Sequence, residues 1–143
     1  MNRSIRLFVY GTLRSDAQHE MSASMFAFNI LKSGAVSEGP AWVEGGLFAL
    51  DWYPAYVDTV PGKVKGEVWR IHQPSVVQHL NGYEGGDYLR ELVRCVLENG
   101  RKVTAWTYKY RLPLRGVPRI DSGDYLDWVK GAQKAPPRES LGK

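Results

Sequence analysis

Two long alternating segments, about 88–98 and 102–110, meet at Asn99-Gly100. Both residues of that dipeptide tolerate positive φ, so the junction reads as a two-residue hairpin turn between antiparallel strands. No other pattern narrows the fold as much. It requires a sheet, and it places Trp106, Tyr108 and Tyr110 on one face of the second strand, with Val103, Ala105 and Thr107 on the other. Upstream, from Ile30 to about Glu98, segments 30–37, 42–50, 55–58 and 64–71 are rich in Val, Leu and aromatic residues. Gly45-Gly46, Pro54 and Pro61-Gly62 punctuate them as turns or bulges. Ile5 to Tyr10 reads as a buried first strand stopped by Gly11.

Helices are few. Ser15 with Gln18 three residues on has the form of a capping box, and Met21, Met25 and Phe28 follow at helical spacing as core residues. Pro74 to about Gly82 reads as a short helix with Val76, Val77 and Leu80 on its apolar side. Ser122 to about Val129 reads as a last helix. The Gly- and Pro-containing stretch 131–143 reads as a mobile tail after a single domain over 1–130. At 143 residues the chain can bury a core without a staple.

Composition closes off several classes. The single cysteine, Cys95, excludes an intrachain disulfide, argues against a Cys-based zinc site, and reads as a small buried hydrophobe within its strand. Apolar runs stop at four residues, as in Leu7 to Tyr10, so no membrane span and no signal-peptide core is expected. A cytoplasmic, reducing location is the simplest expectation. The net charge is +4, and the basic residues are spread out except for Lys109, Arg111, Arg115 and Arg119. No nucleic-acid reading motif accompanies them, so a solvated basic rim is expected and nucleic acid is not. Oligomeric state is not readable. His19, His72 and His79 have no metal-ligand spacing. Phosphate-loop, dinucleotide and nucleophile-elbow motifs are absent, so neither a metal nor a cofactor is expected.

Two local features can carry chemistry. At Val9-Tyr10-Gly11-Thr12-Leu13 a buried strand breaks at a glycine and enters a helix. Consecutive backbone N–H groups at such a junction can form a small anion-binding nest. Taken alone, the same residues also make an ordinary strand-to-helix turn. In Leu80-Asn81-Gly82-Tyr83-Glu84-Gly85-Gly86-Asp87-Tyr88-Leu89-Arg90 a carboxylate sits among glycines and tyrosines. Desolvation by aromatic rings would raise the pKa of Glu84 and suit it to general acid and base work. Alone, it also fits a solvated loop carboxylate.

Further motifs bind these two together: Gly46-Leu47-Phe48-Ala49-Leu50, Tyr53-Pro54-Ala55, Gly62-Lys63-Val64-Lys65-Gly66-Glu67-Val68-Trp69, and Ser122-Gly123-Asp124-Tyr125. In this order, with Tyr10 to Leu13 first and Leu80 to Gly85 between, the chain resembles the γ-glutamylcyclotransferase-like family from Leu7 to about Trp128. That family includes the γ-glutamylamine cyclotransferases and the plant avirulence-induced proteins. The resemblance implies an α+β fold, a small mixed β-barrel with a few surrounding helices. It also implies a small-molecule γ-glutamyl substrate, with Tyr10, Gly11, Thr12 and Leu13 gripping the γ-glutamyl head through backbone N–H groups. Glu84 would handle the protons as the catalytic residue, and Tyr88 would position Glu84 or the substrate, or simply pack in its strand. Asn81 stands where the family commonly carries Asp. Arg14-Ser15-Asp16-Ala17-Gln18-His19 stands where many relatives carry a Gly and then an Asn-His pair.

Overall fold

The computed structural model describes residues 5–11, 13–14, 29–50, 53–78 and 88–134. Among the described residues the strands are β1 (Ile5–Val9), β2 (Ala35–Glu44), β3 (Gly46–Leu50), β4 (Tyr53–Val57), β5 (Lys63–Ile71), β6 (Tyr88–Leu97), β7 (Lys102–Tyr110) and β8 (Arg119–Ile120). Residues 29–34 and 75–78 are helical, and a longer helix spans Tyr125–Lys134. No helix among the described residues is long and apolar enough to cross a membrane.

Five strands close a barrel in the order β1-β5-β2-β6-β7. Neighbours run antiparallel except at the closure, where β1 meets β7 in parallel with Leu7 opposite Trp106. A second sheet, β4-β3-β8, packs against the barrel. Alternation sorts the side chains. Phe8, Val43, Val64, Val68, Cys95, Val103 and Ala105 fill one core, which Leu47, Tyr56 and Ile120 of the second sheet extend. The opposite faces of the same strands contribute Leu7, Val9, Trp69, Ile71 and Tyr108 to an outer core shared with Leu31 and Val76. β1 is therefore covered on both faces, which is why Leu7 to Val9 reads as an unbroken apolar run.

Gly66 shows how tightly β1 is held. A side chain there would meet the Val9 carbonyl and the Phe8 ring, the latter at 2.5 Å. Gly45 is required for a different reason. Its φ of 138° turns the chain from β2 into β3, and its N–H donates to Gly62 O at 2.9 Å. The apolar segment 42–50 is thus two strands belonging to two sheets.

Four expectations change. Residues 30–34 are helical, not extended, because Leu31 is fully buried against the outer core, and β2 begins only at Ala35. The β6–β7 loop is Glu98-Asn99-Gly100 rather than two residues. Gly100 N donates to Leu97 O at 2.8 Å, Leu97 N to Arg101 O at 2.8 Å, and Gly100 takes φ 90°. That is a type I turn followed by a glycine bulge, whose twist also suits a hairpin. The last helix starts at Tyr125 rather than Ser122, because Asp124 caps it: Asp124 Oδ1 accepts from Leu126 N at 3.1 Å and from Asp127 N at 3.3 Å. It continues past Val129 through exposed Gly131 to Lys134. The capping box at Ser15 and Gln18, the Met21, Met25 and Phe28 stripe, and tail residues 135–143 lie outside the described residues.

Gly66→Ala should lower stability by about 1–3 kcal/mol, because the ring and carbonyl above it must move; an unchanged urea midpoint would mean that Phe8 repacks freely. Cys95 is fully buried, and burial pushes its thiol up to about 12. An aromatic disulfide reagent should therefore label it only as the protein unfolds; rapid labelling of native protein would contradict the barrel packing.

Candidate active site

Of the candidate residues, Tyr10, Gly11 and Tyr88 gather at one rim of the barrel, where β1 and β7 end and β6 begins. Tyr10 directly follows β1. Its ring lies 5.7 Å from that of Tyr56, and its hydroxyl donates to Tyr108 O at 2.6 Å, which ties the end of β1 to β7. Gly11 follows in close contact with Pro54: a Cβ at position 11 would lie 2.9 Å from Pro54 Cγ. Arg14 N then donates back to Gly11 O at 3.1 Å, closing a tight turn over Gly11–Arg14. Leu13 is buried in the outer core.

Pro54 links this turn to Tyr88. The Tyr88 hydroxyl donates to Pro54 O at 2.9 Å, and the Tyr88 ring stands edge-on to Tyr110 at 5.3 Å. Gly11, Pro54 and Tyr88 therefore form one continuous contact path, although they come from three separate motifs. Thr12 and Glu84 lie outside the described residues. Tyr88, four positions after Glu84, is the nearest described residue to it along the chain.

Two residues that sequence reasoning did not assign to the site anchor this turn. Arg14 is 2% exposed, the largest fully buried side chain among the described residues. Its Nη1 donates to Asp124 Oδ1 at 2.8 Å. Asp124 also faces Lys65 Nζ at 3.9 Å. Burial pushes the Asp124 carboxyl up, but the hydrogen bond and charge of Arg14, the Asp127 amide and Lys65 together hold it below its usual value. The available signal was an arginine directly after a buried apolar turn, where a charge demands a partner.

The basic stretch beyond β7 is partly neutralised. Lys109 Nζ lies 2.8 Å from Asp58 Oδ2 and 3.6 Å from Glu91 Oε1. Arg111 pairs with the same two carboxylates. The Lys109 hydrogen bond holds Asp58 below its usual carboxylate value, and the Arg111 hydrogen bond does the same for Glu91. Arg119 donates to Pro61 O and lies over the Phe48 ring. Lys109 and Arg111 thus brace the ends of β4, β6 and β7, and Arg119 braces β3. Among the described residues no group of three or more His, Cys, Asp or Glu is placed to hold a metal ion.

Comparison with known proteins gives a consistent picture. The family model described as gamma-glutamyl cyclotransferase, AIG2-like, matches residues 7–127. The gamma-glutamylcyclotransferase family protein YtfP of Escherichia coli K12 is 34% identical over 127 residues, covering 86% of this chain and 97% of that one. A Pyrococcus horikoshii crystal structure superposes with a TM-score of 0.64 at 26% identity, over 93% of this chain and all of that one. An aig2-like protein from Mus musculus superposes with a TM-score of 0.69 at 19% identity, over 96% and 99% of the two chains, and so shares the fold.

Asp124→Asn separates the charge of Asp124 from its capping role, since Asn caps helices as well as Asp does. It removes the Asp124 charge from beside the buried Arg14 guanidinium and should cost about 1–3 kcal/mol at pH 7. Because the folded carboxyl titrates below its unfolded value of about 3.9, the wild-type advantage is complete above that value and fades as pH falls through the lower folded one. Urea midpoints of the two proteins should therefore converge as pH falls below about 5. A gap that does not change with pH would assign the loss to capping or packing instead.

Proposed function

Since the chain belongs to the gamma-glutamyl cyclotransferase, AIG2-like family, we propose that it converts a γ-glutamyl amine or peptide into 5-oxoproline and a free amine. The observation that carries this reading is the rim itself: the turn after Tyr10 and the start of β6 at Tyr88 meet through Pro54. That contact joins the turn expected to hold the substrate head to Tyr88, four positions after Glu84 in the chain.

The chemistry needs no enzyme nucleophile. The substrate's α-amine attacks its own γ-carbonyl carbon, forming the ring C–N bond. The bond from that carbon to the leaving nitrogen then breaks. The α-amine is mostly protonated near neutral pH, so Glu84 takes a proton from it and later delivers one to the departing nitrogen. Backbone N–H groups of the Tyr10 to Leu13 stretch grip the carboxylate of the γ-glutamyl head. The remaining work is to hold a flexible chain in a ring-closing shape, and well-oriented groups can lower a barrier by several kcal/mol in this way. Tyr88 donates its hydroxyl proton to Pro54 O. Its role is to place the start of β6, and the proton transfers belong to Glu84.

Mass spectrometry of 5-oxoproline, with a panel of γ-glutamyl dipeptides, amines and a γ-glutamyl-lysine crosslink mimic, tests the reading. At least one substrate should give product, and Glu84→Gln should stay folded while losing roughly a hundredfold or more in turnover. Unchanged turnover in that variant removes Glu84 from the mechanism. Absence of product across the panel, with thermal stabilisation by 5-oxoproline, would instead indicate a carboxylate-binding protein without turnover.

A further inference from the structure

The turn after Tyr10 is anchored at its far end by a charged residue where an apolar one would pack. Arg14 N closes the turn on Gly11 O, and the Arg14 side chain runs into the interior to meet Asp124, 110 residues away. Asp124 cannot adjust freely. Its Oδ1 is fixed by the amides of Leu126 and Asp127 at the start of the Tyr125–Lys134 helix. The preceding residue is fixed as well: Gly123 O accepts from Lys65 N at 2.8 Å, and Gly123, at φ 69°, lies against the backbone of β5. β5 is the strand paired with β1. The turn is thus tied to β1 through the chain at one end, and back to β1's neighbour through Arg14, Asp124 and Gly123 at the other.

From this arrangement we propose that Arg14 and Asp124 are positioning residues, an ion-pair clamp that sets the orientation of the Gly11–Arg14 turn for gripping the γ-glutamyl head. The inference rests on the cyclotransfer reading for its consequence in catalysis. A buried ion pair adds little stability over a well-packed apolar pair. It does impose direction, because the planar guanidinium presents its N–H groups at fixed angles. An apolar Leu or Met at position 14 would fill the space and leave the turn free to rotate. Gly11 has no room for such rotation on its Pro54 side, so a released turn would move away from Pro54 and out of register with Tyr88.

The test uses the full chain and two variants, Asp124→Asn, which keeps the cap, and Arg14→Lys, which keeps the charge. Both are assayed at a temperature where near-ultraviolet circular dichroism shows them folded. Backbone amide hydrogen exchange of Gly11, Leu13 and Arg14 should speed up at least tenfold relative to Phe8 and Val68 in the barrel. With the substrate found for the wild type, KM should rise at least tenfold while kcat changes less than threefold, because the turn holds the head in ground and transition states alike. Glu84→Gln should show the opposite split. Equal exchange in variant and wild type would overturn the clamp, and so would unchanged KM per folded molecule. If the wild type makes no 5-oxoproline from any substrate, the cyclotransfer reading fails while the exchange measurement still decides whether the clamp exists. If Asp124→Asn does not fold, Arg14→Lys decides it alone.

Discussion

The rim depends on one short strand. β1 has five residues, yet it pairs with β5 along its whole length, closes the barrel on β7, and is buried on both faces. Burial on two sides removes any freedom to slip, because a one-residue shift would exchange the inward Phe8 for the outward Leu7 and Val9. Gly66 reinforces this register by admitting the Phe8 ring where no side chain fits. The turn that leaves β1 therefore starts from a defined place and direction. The Tyr10 hydroxyl on Tyr108 O extends that control one residue further. A chain that leaves the barrel at a fixed point can present backbone N–H groups with the accuracy that catalysis by positioning requires.

Charge is used differently on the two sides of this rim. Near Arg111, Asp58 and Glu91 the pairs are partly exposed, so each adds little to stability on its own. Their shared geometry still braces the ends of β4, β6 and β7. Around Arg14 the pairing is interior, and an uncompensated charge would be costly. The first arrangement tolerates substitution; the second does not. The aromatic rings between them, Tyr10, Tyr56, Tyr88 and Tyr110, are amphipathic: where their hydroxyls are bonded they donate to backbone carbonyls, so the rim stays rigid without exposing unsatisfied polar groups.

Much of this was legible from residues alone. The period-2 pattern of 88–98 and 102–110 identified β6 and β7 to within a residue, and the apolar run ending at Gly11 identified β1. The local errors share a cause. Ile30 to Gly34 looks extended because Ile and Leu suit strands, yet burial of Leu31 under a helical turn prevails over that preference. Asn99-Gly100 suggested a two-residue loop, but glycine at φ 90° serves a three-residue loop equally well. For the site, Tyr10, Gly11 and Tyr88 come together at one rim, while Arg14 and Asp124 were read only as members of longer motifs.

Sequence by itself therefore determined β1, β5, β6 and β7, the hairpin between the last two, and the family, because each is written in local periodicity or in short motifs kept in order. Tertiary structure alone decided that Pro54 bridges Gly11 and Tyr88, and that Arg14 meets Asp124. Those partners lie 34 to 110 residues apart. Side-chain alternation tells a residue which face it occupies; only barrel closure, with its parallel β1–β7 seam, tells it which distant residue waits there.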